Sequence, residues 1–130
     1  MISGYVLRDG QNGADNLVVS GRSTIPAWAV RLYNVSSNQA GPAVSTTYPL
    51  GRYMEDNAYL GDLGRVQGVD FDLDEYNGRF CVTPEFPGGT YAYFVTLAAD
   101  NSPAYPYIIG RQYYGVKTGG NYGAAATVGF

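Results

Sequence analysis

Short apolar stretches alternate with polar residues along this chain, and glycine, proline and asparagine separate them. Residues 90–97 are densest in aromatic and β-branched side chains, which is typical of a strand. Residues 28–35 place Trp28, Val30 and Leu32 on one side, which predicts a second, half-buried strand. By the same pattern we expect further short strands at residues 2–8, 16–20, 44–48, 79–83, 105–109 and 111–117.

Turn signals fall between these stretches, at Asp9-Gly10, at Asn12-Gly13 and across residues 84–89. Only residues 51–64, which glycines bracket, favour a short helical turn. Strand candidates that recur about every 8–12 residues are typical of a sandwich or barrel. The fold class we expect is therefore mostly β: a compact, antiparallel, β-sandwich-like single domain with short strands and at most one short helical turn.

A chain of 130 residues has the size of one domain. We expect residues 1–117 to form that single β domain. Residues 118–130 are rich in glycine and end in apolar residues, so we treat them as a C-terminal tail. Two interpretations of the tail stay open: a flexible end, or an edge strand docked on a neighbouring subunit through backbone hydrogen bonds.

Charge and hydropathy limit the classes of partner that we expect for this chain. The net charge is −3, the pI is about 4.6 and basic residues form no cluster, so we expect no nucleic-acid binding. No apolar stretch approaches the roughly 18 residues of a membrane helix, so we expect no membrane insertion. The first residues, MISGYVLRDGQNG, lack the pattern of a signal peptide. We therefore expect either assembly inside a cell or removal of the original start.

Histidine is absent and Cys81 is the only cysteine. Serine–histidine, cysteine–histidine and histidine–zinc chemistry are therefore excluded, as is an intrachain disulfide. We expect Cys81 to be a small buried hydrophobe. Glycoside hydrolysis would need two carboxyl groups across a cleft, and the candidate carboxylates are Glu55, Asp56, Asp62, Glu75 and Glu85. We rank an enzyme behind the non-enzymatic hypotheses given below and expect no catalytic residues.

Residues 70–78 carry alternate carboxylates followed by asparagine and glycine, and such oxygens can wrap calcium. The candidate ligands are Asp70, Asp72, Asp74 and Asn77. The spacing is not that of an EF-hand loop. In the alternative, the aspartates point to water while Phe71 and Leu73 point inward, and a cation, Arg65 or Arg79 offsets the repulsion. Calcium is the one cofactor that the sequence suggests.

Tyrosine is unusually frequent, with 13 residues. Tyr91 and Tyr93 fall on one side of a predicted strand, as do Tyr105 and Tyr107, and such pairs stabilise sheets. Tyrosine also suits interfaces, because it buries a large area and keeps a polar tip. The candidate interface residues are Tyr91, Tyr93, Tyr105, Tyr107, Tyr113, Tyr114 and Phe130. A glycan platform is the other functional interpretation; Trp28 is expected in the core.

The order of short motifs in the second half is distinctive: LDEYNGRF, Cys81, VTPEFP, GTYAYF, YPYIIG and YYG. This order resembles the YHYH domain over about residues 41–115, weakly before residue 65, and we see no resemblance in residues 1–40 or after Gly115. The family occurs in secreted bacterial proteins and in predicted structural proteins of marine phages. Tyr91-Ala92-Tyr93-Phe94 stands where the namesake Tyr-His-Tyr-His string is expected, so a role carried by those histidines is excluded here.

The resemblance and the composition together favour a non-enzymatic structural or assembly protein of an extracellular assembly. The leading expectation is a phage virion component associated with the tail, baseplate or fibre. Its partners would be other copies of itself or other structural subunits, located in a virion or on an extracellular surface. The alternative is a secreted or cell-surface module that binds glycan or protein, with or without calcium.

Overall fold

The computed structural model describes residues 1–35, 40–110 and 112–115 as a small domain. Strand β1 pairs antiparallel with β2, and β3 pairs antiparallel with β4, which gives two separate two-stranded sheets. Two short helices lie between β1 and β2 in the sequence. The elements are β1 (Tyr5–Leu7), α1 (Leu17–Ser20), α2 (Ala27–Tyr33), β2 (Asn57–Tyr59), β3 (Gly78–Thr83) and β4 (Phe86–Tyr93), with 3-10 turns at Met54–Asp56 and Leu60–Leu63.

Short antiparallel strands are confirmed, but the predicted number of strands is wrong. The described residues form two sheets of two strands and no closed barrel, and residues 44–48 and 105–109 are not strands. The helical turn expected within residues 51–64 is confirmed as the two 3-10 turns that flank β2. Residues 118–130 lie outside the described residues. Among the described residues, no helix is long and apolar enough to cross a bilayer.

Helix α1 replaces the strand predicted at residues 16–20. The side chain of Asn16 accepts hydrogen bonds from the backbone N–H groups of Val18 and Val19, at 3.2 and 3.4 Å. It therefore caps the first turn, and Gly21 follows the helix with a φ of 74°. Leu17 is buried, whereas Val18 and Val19 are exposed. A single helical turn is therefore enough to bury Leu17, and it leaves both valines at the surface.

Helix α2 replaces the strand predicted at residues 28–35. Trp28 and Ala29 are fully buried, and Leu32 packs against the same core, which is the spacing of a helical face. Val30, which the strand prediction placed beside Trp28, is 47% exposed. The helix ends at Asn34, whose left-handed conformation is a common helix terminator.

The core is built from aromatic rings around Trp28, as the sequence predicts for this residue. Tyr5 meets Trp28 and Tyr105 edge to face, with ring centroids 5.0 Å apart in both pairs. The polar tips are satisfied: the Trp28 indole N–H donates to the carbonyl of Asn57 at 2.8 Å, and the Tyr5 hydroxyl donates to the carbonyl of Glu75 at 2.6 Å. Burial raises the pKa of the Tyr5 hydroxyl well above its usual range.

A buried ion pair fixes the long connection between α2 and β2. The Arg22 guanidinium donates to both carboxylate oxygens of Asp56, at 2.6 and 2.9 Å, and both side chains are almost fully buried. The same guanidinium donates to the carbonyls of Pro42 and Pro49 at 2.8 and 2.9 Å. It lies 4.6 Å from the centroid of the Tyr53 ring. Arg22 therefore ties three chain segments together without access to solvent.

Candidate functional site

The β3–β4 hairpin is the longest regular element of the described chain, and β4 carries Tyr91, Ala92 and Tyr93. Its register pairs Gly78 with Tyr93 and Phe80 with Tyr91, and a β-bulge follows Cys81. Within the described residues no third strand joins either edge of this two-stranded ribbon. Cys81 is only partly buried and lies on the hairpin, so the prediction that it is a small buried hydrophobe is wrong.

One side of the hairpin is an aromatic cluster centred on Tyr91. The Tyr91 ring stacks on Tyr114, with centroids 3.9 Å apart and an interplanar angle of 12°. It meets Phe80 and Tyr93 edge to face, at 5.4 and 5.3 Å. Val82 continues this side of β3, because alternate residues of a strand share a face. We call the set Phe80, Val82, Tyr91, Tyr93 and Tyr114 the hairpin face.

A partly buried hydrogen bond to the carboxylate of Asp74 positions Tyr91. Its hydroxyl lies 2.8 Å from each carboxylate oxygen of Asp74, and Asp74 also accepts from the backbone N–H groups of Tyr76 and Gly78, at 2.9 and 3.2 Å. Burial, followed by this hydrogen bond, raises the pKa of the Tyr91 hydroxyl well above its usual range. The tyrosine therefore stays protonated and remains a donor to Asp74.

Large apolar side chains on the hairpin remain in contact with solvent. Phe80 is 66% exposed, Val82 is 70% exposed, and Phe86 at the turn is 56% exposed. In the same hairpin, β4 contains no fully buried residue. An isolated two-stranded ribbon is marginally stable in water, so a contiguous exposed apolar face on such a ribbon is typical of an interaction surface.

The tyrosines predicted as interface residues separate into distinct environments. Tyr91, Tyr93 and Tyr114 come together on the hairpin face, whereas Tyr105 packs in the core against Tyr5 and Trp28. Tyr107 and Tyr113 are exposed, and Phe130 lies outside the described residues. The prediction did not include Phe80 or Val82, although their alternation in the segment RFCV indicates a shared strand face.

The alternate aspartates of residues 70–78 act as hydrogen-bond acceptors for the chain. Asp70 accepts from the N–H of Val66 at 2.8 Å, and Asp72 accepts from the N–H of Ile2 at 2.6 Å. Asp72 also lies 3.9 Å from the Arg79 guanidinium. Phe71 and Leu73 between the aspartates are buried, as the alternative interpretation of this segment predicts, although the segment is a turn-rich loop.

Asn77, the fourth candidate calcium ligand, is fully buried and its amide N–H₂ donates to the carbonyls of Phe94 and Ile108, at 2.7 and 2.9 Å. In the part of the chain that the structure describes, no group of three or more acidic or cysteine side chains is placed to hold a metal ion. Calcium at Asp70, Asp72, Asp74 and Asn77 stays a prediction.

The remaining carboxylates are mostly engaged with arginine. Asp62 and Glu75 both bind Arg31, with closest distances of 3.1 and 2.5 Å. Asp56 is enclosed with Arg22: burial alone would raise the pKa of its carboxyl, but hydrogen bonds from Arg22 and from two backbone N–H groups outweigh burial and lower it. These carboxylates are held in structural contacts. Glu85 is exposed at the hairpin turn.

A second surface feature is a pair of adjoining clefts beside residues 104–110. The cleft volumes are about 330 and 320 Å³, and both are lined by Gly51, Asn57, Tyr105 and Tyr107. Arg52 and Tyr53 line the first cleft. The hairpin face contributes no residue to either cleft, so the two features are separate surfaces.

Comparison with known proteins identifies one family. The model of the YHYH protein family matches residues 3–109. The expectation that residues 1–40 lie outside the resemblance is therefore wrong, because the match includes β1, α1 and α2. No curated protein and no solved structure gives a significant match.

Proposed function

We propose that this chain, which belongs to the YHYH protein family, is a non-enzymatic structural protein that associates with further copies of itself through the hairpin face. One observation carries the proposal: Phe80 and Val82 are 66% and 70% exposed on a ribbon whose two edges find no further strand among the described residues. Burial of apolar area is the main favourable term in most protein association.

A second copy is the partner that fits this face best. The residues of the hairpin face carry no charge, so two such faces related by a two-fold axis can pack without buried ionic groups. Two ribbons packed face to face lie about 10 Å apart and interdigitate their side chains. The β-sandwich expected from the sequence would then arise between two chains, each supplying one layer.

The setting we favour is a virion or another extracellular assembly, with a phage tail, baseplate or fibre as the leading case. The family resemblance and the tyrosine-rich, uncharged face support this choice. Enzymatic activity is not part of the proposal, since Asp56, Asp62 and Glu75 are each bound to an arginine. A secreted or cell-surface binding module remains the second candidate, and the cleft beside Tyr107 is the observation that favours it.

The proposal is tested by placing a charge on the hairpin face. Val82→Lys replaces an exposed apolar side chain of the strand with a charged one, and it sets two like charges against each other across the two-fold axis. We expect its dimer dissociation constant to rise at least about tenfold by light scattering. Val19→Lys is the matched control, because Val19 is 82% exposed and belongs to α1 instead of the hairpin. Equal association of the wild type and both variants would rule out this interface.

A further inference from the structure

The two clefts beside Tyr107 form one open groove, which we call the Tyr107 groove. They share Gly51, Asn57, Tyr105 and Tyr107 and extend to either side of them. The far side of the first cleft includes Arg52 and Tyr53, and Leu7 lies in the second. Ligand sites are concave, largely apolar surfaces with a few placed polar groups, and this groove has that character.

Two fully buried polar side chains hold the loop that forms the groove. The Thr96 hydroxyl donates to the carbonyl of Ala104 at 2.7 Å, and the Thr96 N–H donates to the carbonyl of Tyr107 at 2.8 Å. The Asn77 amide donates to the carbonyl of Ile108 at 2.9 Å. Buried polar groups specify a single arrangement when they are hydrogen-bonded, so the loop is fixed before any ligand arrives.

Tyr107 is held in an unfavourable backbone conformation. Its φ is 74°, which is rare for a bulky residue, and the residue is 51% exposed and lines both clefts. A strained residue persists only where surrounding contacts enforce it, and such residues concentrate at ligand-binding sites. The Thr96 and Asn77 contacts supply that enforcement, and the result is an aromatic surface presented to the groove.

Arg52 supplies a positive charge at the same place. Four other arginines of the described chain, Arg8, Arg22, Arg31 and Arg79, have a carboxylate partner. The Arg52 side chain has no such partner among the described residues, although the net charge of the chain is −3. A guanidinium binds a carboxylate through two parallel hydrogen bonds, so it suits an anionic ligand.

From these features we infer that the Tyr107 groove binds an acidic oligosaccharide, with one sugar ring against Tyr107 and a uronate carboxylate on Arg52. A sugar ring has an apolar face that packs on an aromatic ring and a polar rim that stays hydrated. The groove is open and continues past Tyr107 on both sides, which fits a linear chain of sugars better than a single enclosed small molecule. The site shares no residue with the hairpin face and does not depend on self-association.

The test is calorimetric titration of the full chain with a trimer of galacturonic acid, with the methyl-esterified trimer as the uncharged counterpart. We expect the acidic trimer to bind and the ester to bind at least about tenfold more weakly, because the ester cannot form the charge-assisted hydrogen bonds. Benzoate is included as a planar acid without a sugar ring. Binding of benzoate but not of the acidic trimer would overturn the inference, as would equal affinity for the acid and the ester.

Two variants and a matched control locate the site. Arg52→Gln is expected to remove the preference for the acid over the ester. Tyr107→Asn is expected to weaken binding about tenfold, and asparagine is chosen because it tolerates a left-handed backbone. Arg65→Gln is the control, because Arg65 lines a different cleft and also lacks a carboxylate partner among the described residues. Loss of binding in Arg65→Gln equal to that in Arg52→Gln would place the ligand elsewhere and contradict the assignment.

Discussion

The ring of Tyr91 lies directly over Gly78, the residue diagonal to it across the hairpin. A Cβ atom built on Gly78 would come within 2.5 Å of the Tyr91 ring and hydroxyl and within 2.6 Å of the carbonyl of Ala92. Gly78 therefore leaves the space that lets Tyr91 reach Asp74. This contact links the buried part of the domain to the exposed hairpin face.

Gly78→Ala is expected to destabilise the domain by about 1–3 kcal/mol, since either the Tyr91 ring or the strand backbone must move. Chemical denaturation followed by circular dichroism measures the loss. Gly88→Ala is the matched control, because a Cβ there meets no atom within 4 Å and Gly88 does not have a positive φ. Equal stability of the Gly78→Ala and Gly88→Ala proteins would show that Tyr91 does not occupy this position.

The Arg22–Asp56 pair is expected to be the most sensitive ionic contact. Asp56→Asn leaves the Arg22 charge buried without its partner, and breaking a buried pair in this way costs about 3–5 kcal/mol. Asp62→Asn removes one partner from the more exposed Arg31 and should cost less than about 1 kcal/mol. Urea unfolding at neutral pH compares the two, and a smaller loss for Asp56→Asn than for Asp62→Asn would contradict this ranking.

The same pair predicts the response to acid. The pKa of Asp56 is lowered in the folded state, so its contribution is present above the ordinary aspartate pKa of about 3.9 and is lost as the pH falls through the lowered value. The difference in unfolding free energy between wild type and Asp56→Asn should therefore shrink below about pH 4. A difference that stays constant from neutral pH to about pH 2 would exclude this carboxyl as the source.

Tyrosine ionisation gives a test at the opposite end of the pH scale. Burial raises the pKa of Tyr59 to about 12, and burial also raises the pKa of Tyr5, Tyr91 and Tyr105. A tyrosine whose pKa is raised by folding stabilises the folded state. This stabilisation is fully present below the pKa of about 10 in the unfolded chain, and it is lost as the pH rises through the pKa in the folded state. The ultraviolet absorbance step near pH 10 should therefore be smaller than that of the 13 tyrosines in denaturant. A full-sized step in the folded protein would contradict the burial.

Thr96→Val tests whether the hydrogen bonds of Thr96 fix the loop that carries Tyr107. The substitution preserves shape but leaves the Ala104 carbonyl without its 2.7 Å donor, which should cost about 1–3 kcal/mol. Amide NMR shifts should change around Tyr107. Thr90→Val is the control, because its hydroxyl makes only a 3.5 Å contact in β4 and its loss should stay within about 0.5 kcal/mol. Unchanged shifts at Tyr107 would show that Thr96 does not set this loop.

The hairpin was predictable because its signals are local. Proline, glutamate and glycine mark the turn, and the aromatic residues of 90–93 and the alternation of 79–83 mark its strands. The turn is shorter than the predicted range of residues 84–89. Strand β4 already begins at Phe86, so it includes Gly88 and Gly89 beside the β-bulge. Local pattern was also enough to identify Phe71 and Leu73 as inward-facing residues.

Helix α2 could not be separated from a strand by pattern alone. Over the seven residues of α2, the spacing of Trp28 and Leu32 fits both the period of a helix and the period of a strand. The buried Ala29 is too small to indicate a core position. The roles of Thr96 and Asn77 could not be seen in the sequence, because their hydrogen bonds reach residues that lie 8 and 31 positions away. Asp70 accepts from nearby backbone, whereas Asp72 accepts from Ile2, 70 positions away. No sequence pattern distinguishes such acceptors from metal ligands.

The most direct test of self-association through the hairpin uses Cys81, the only cysteine in the chain. It alternates with Phe80 and Val82 on β3 and therefore points away from the hairpin face, so a spin label there leaves the face intact. Each chain carries one label, so any dipolar coupling must arise between copies. The two ribbons lie about 10 Å apart and each label adds the length of its own side chain, so pulsed electron paramagnetic resonance should give one distance of about 20–40 Å between the labels. Val82→Lys should abolish this distance, and Val19→Lys should retain it. Absence of coupling in the wild type, or coupling that survives Val82→Lys, would contradict the account.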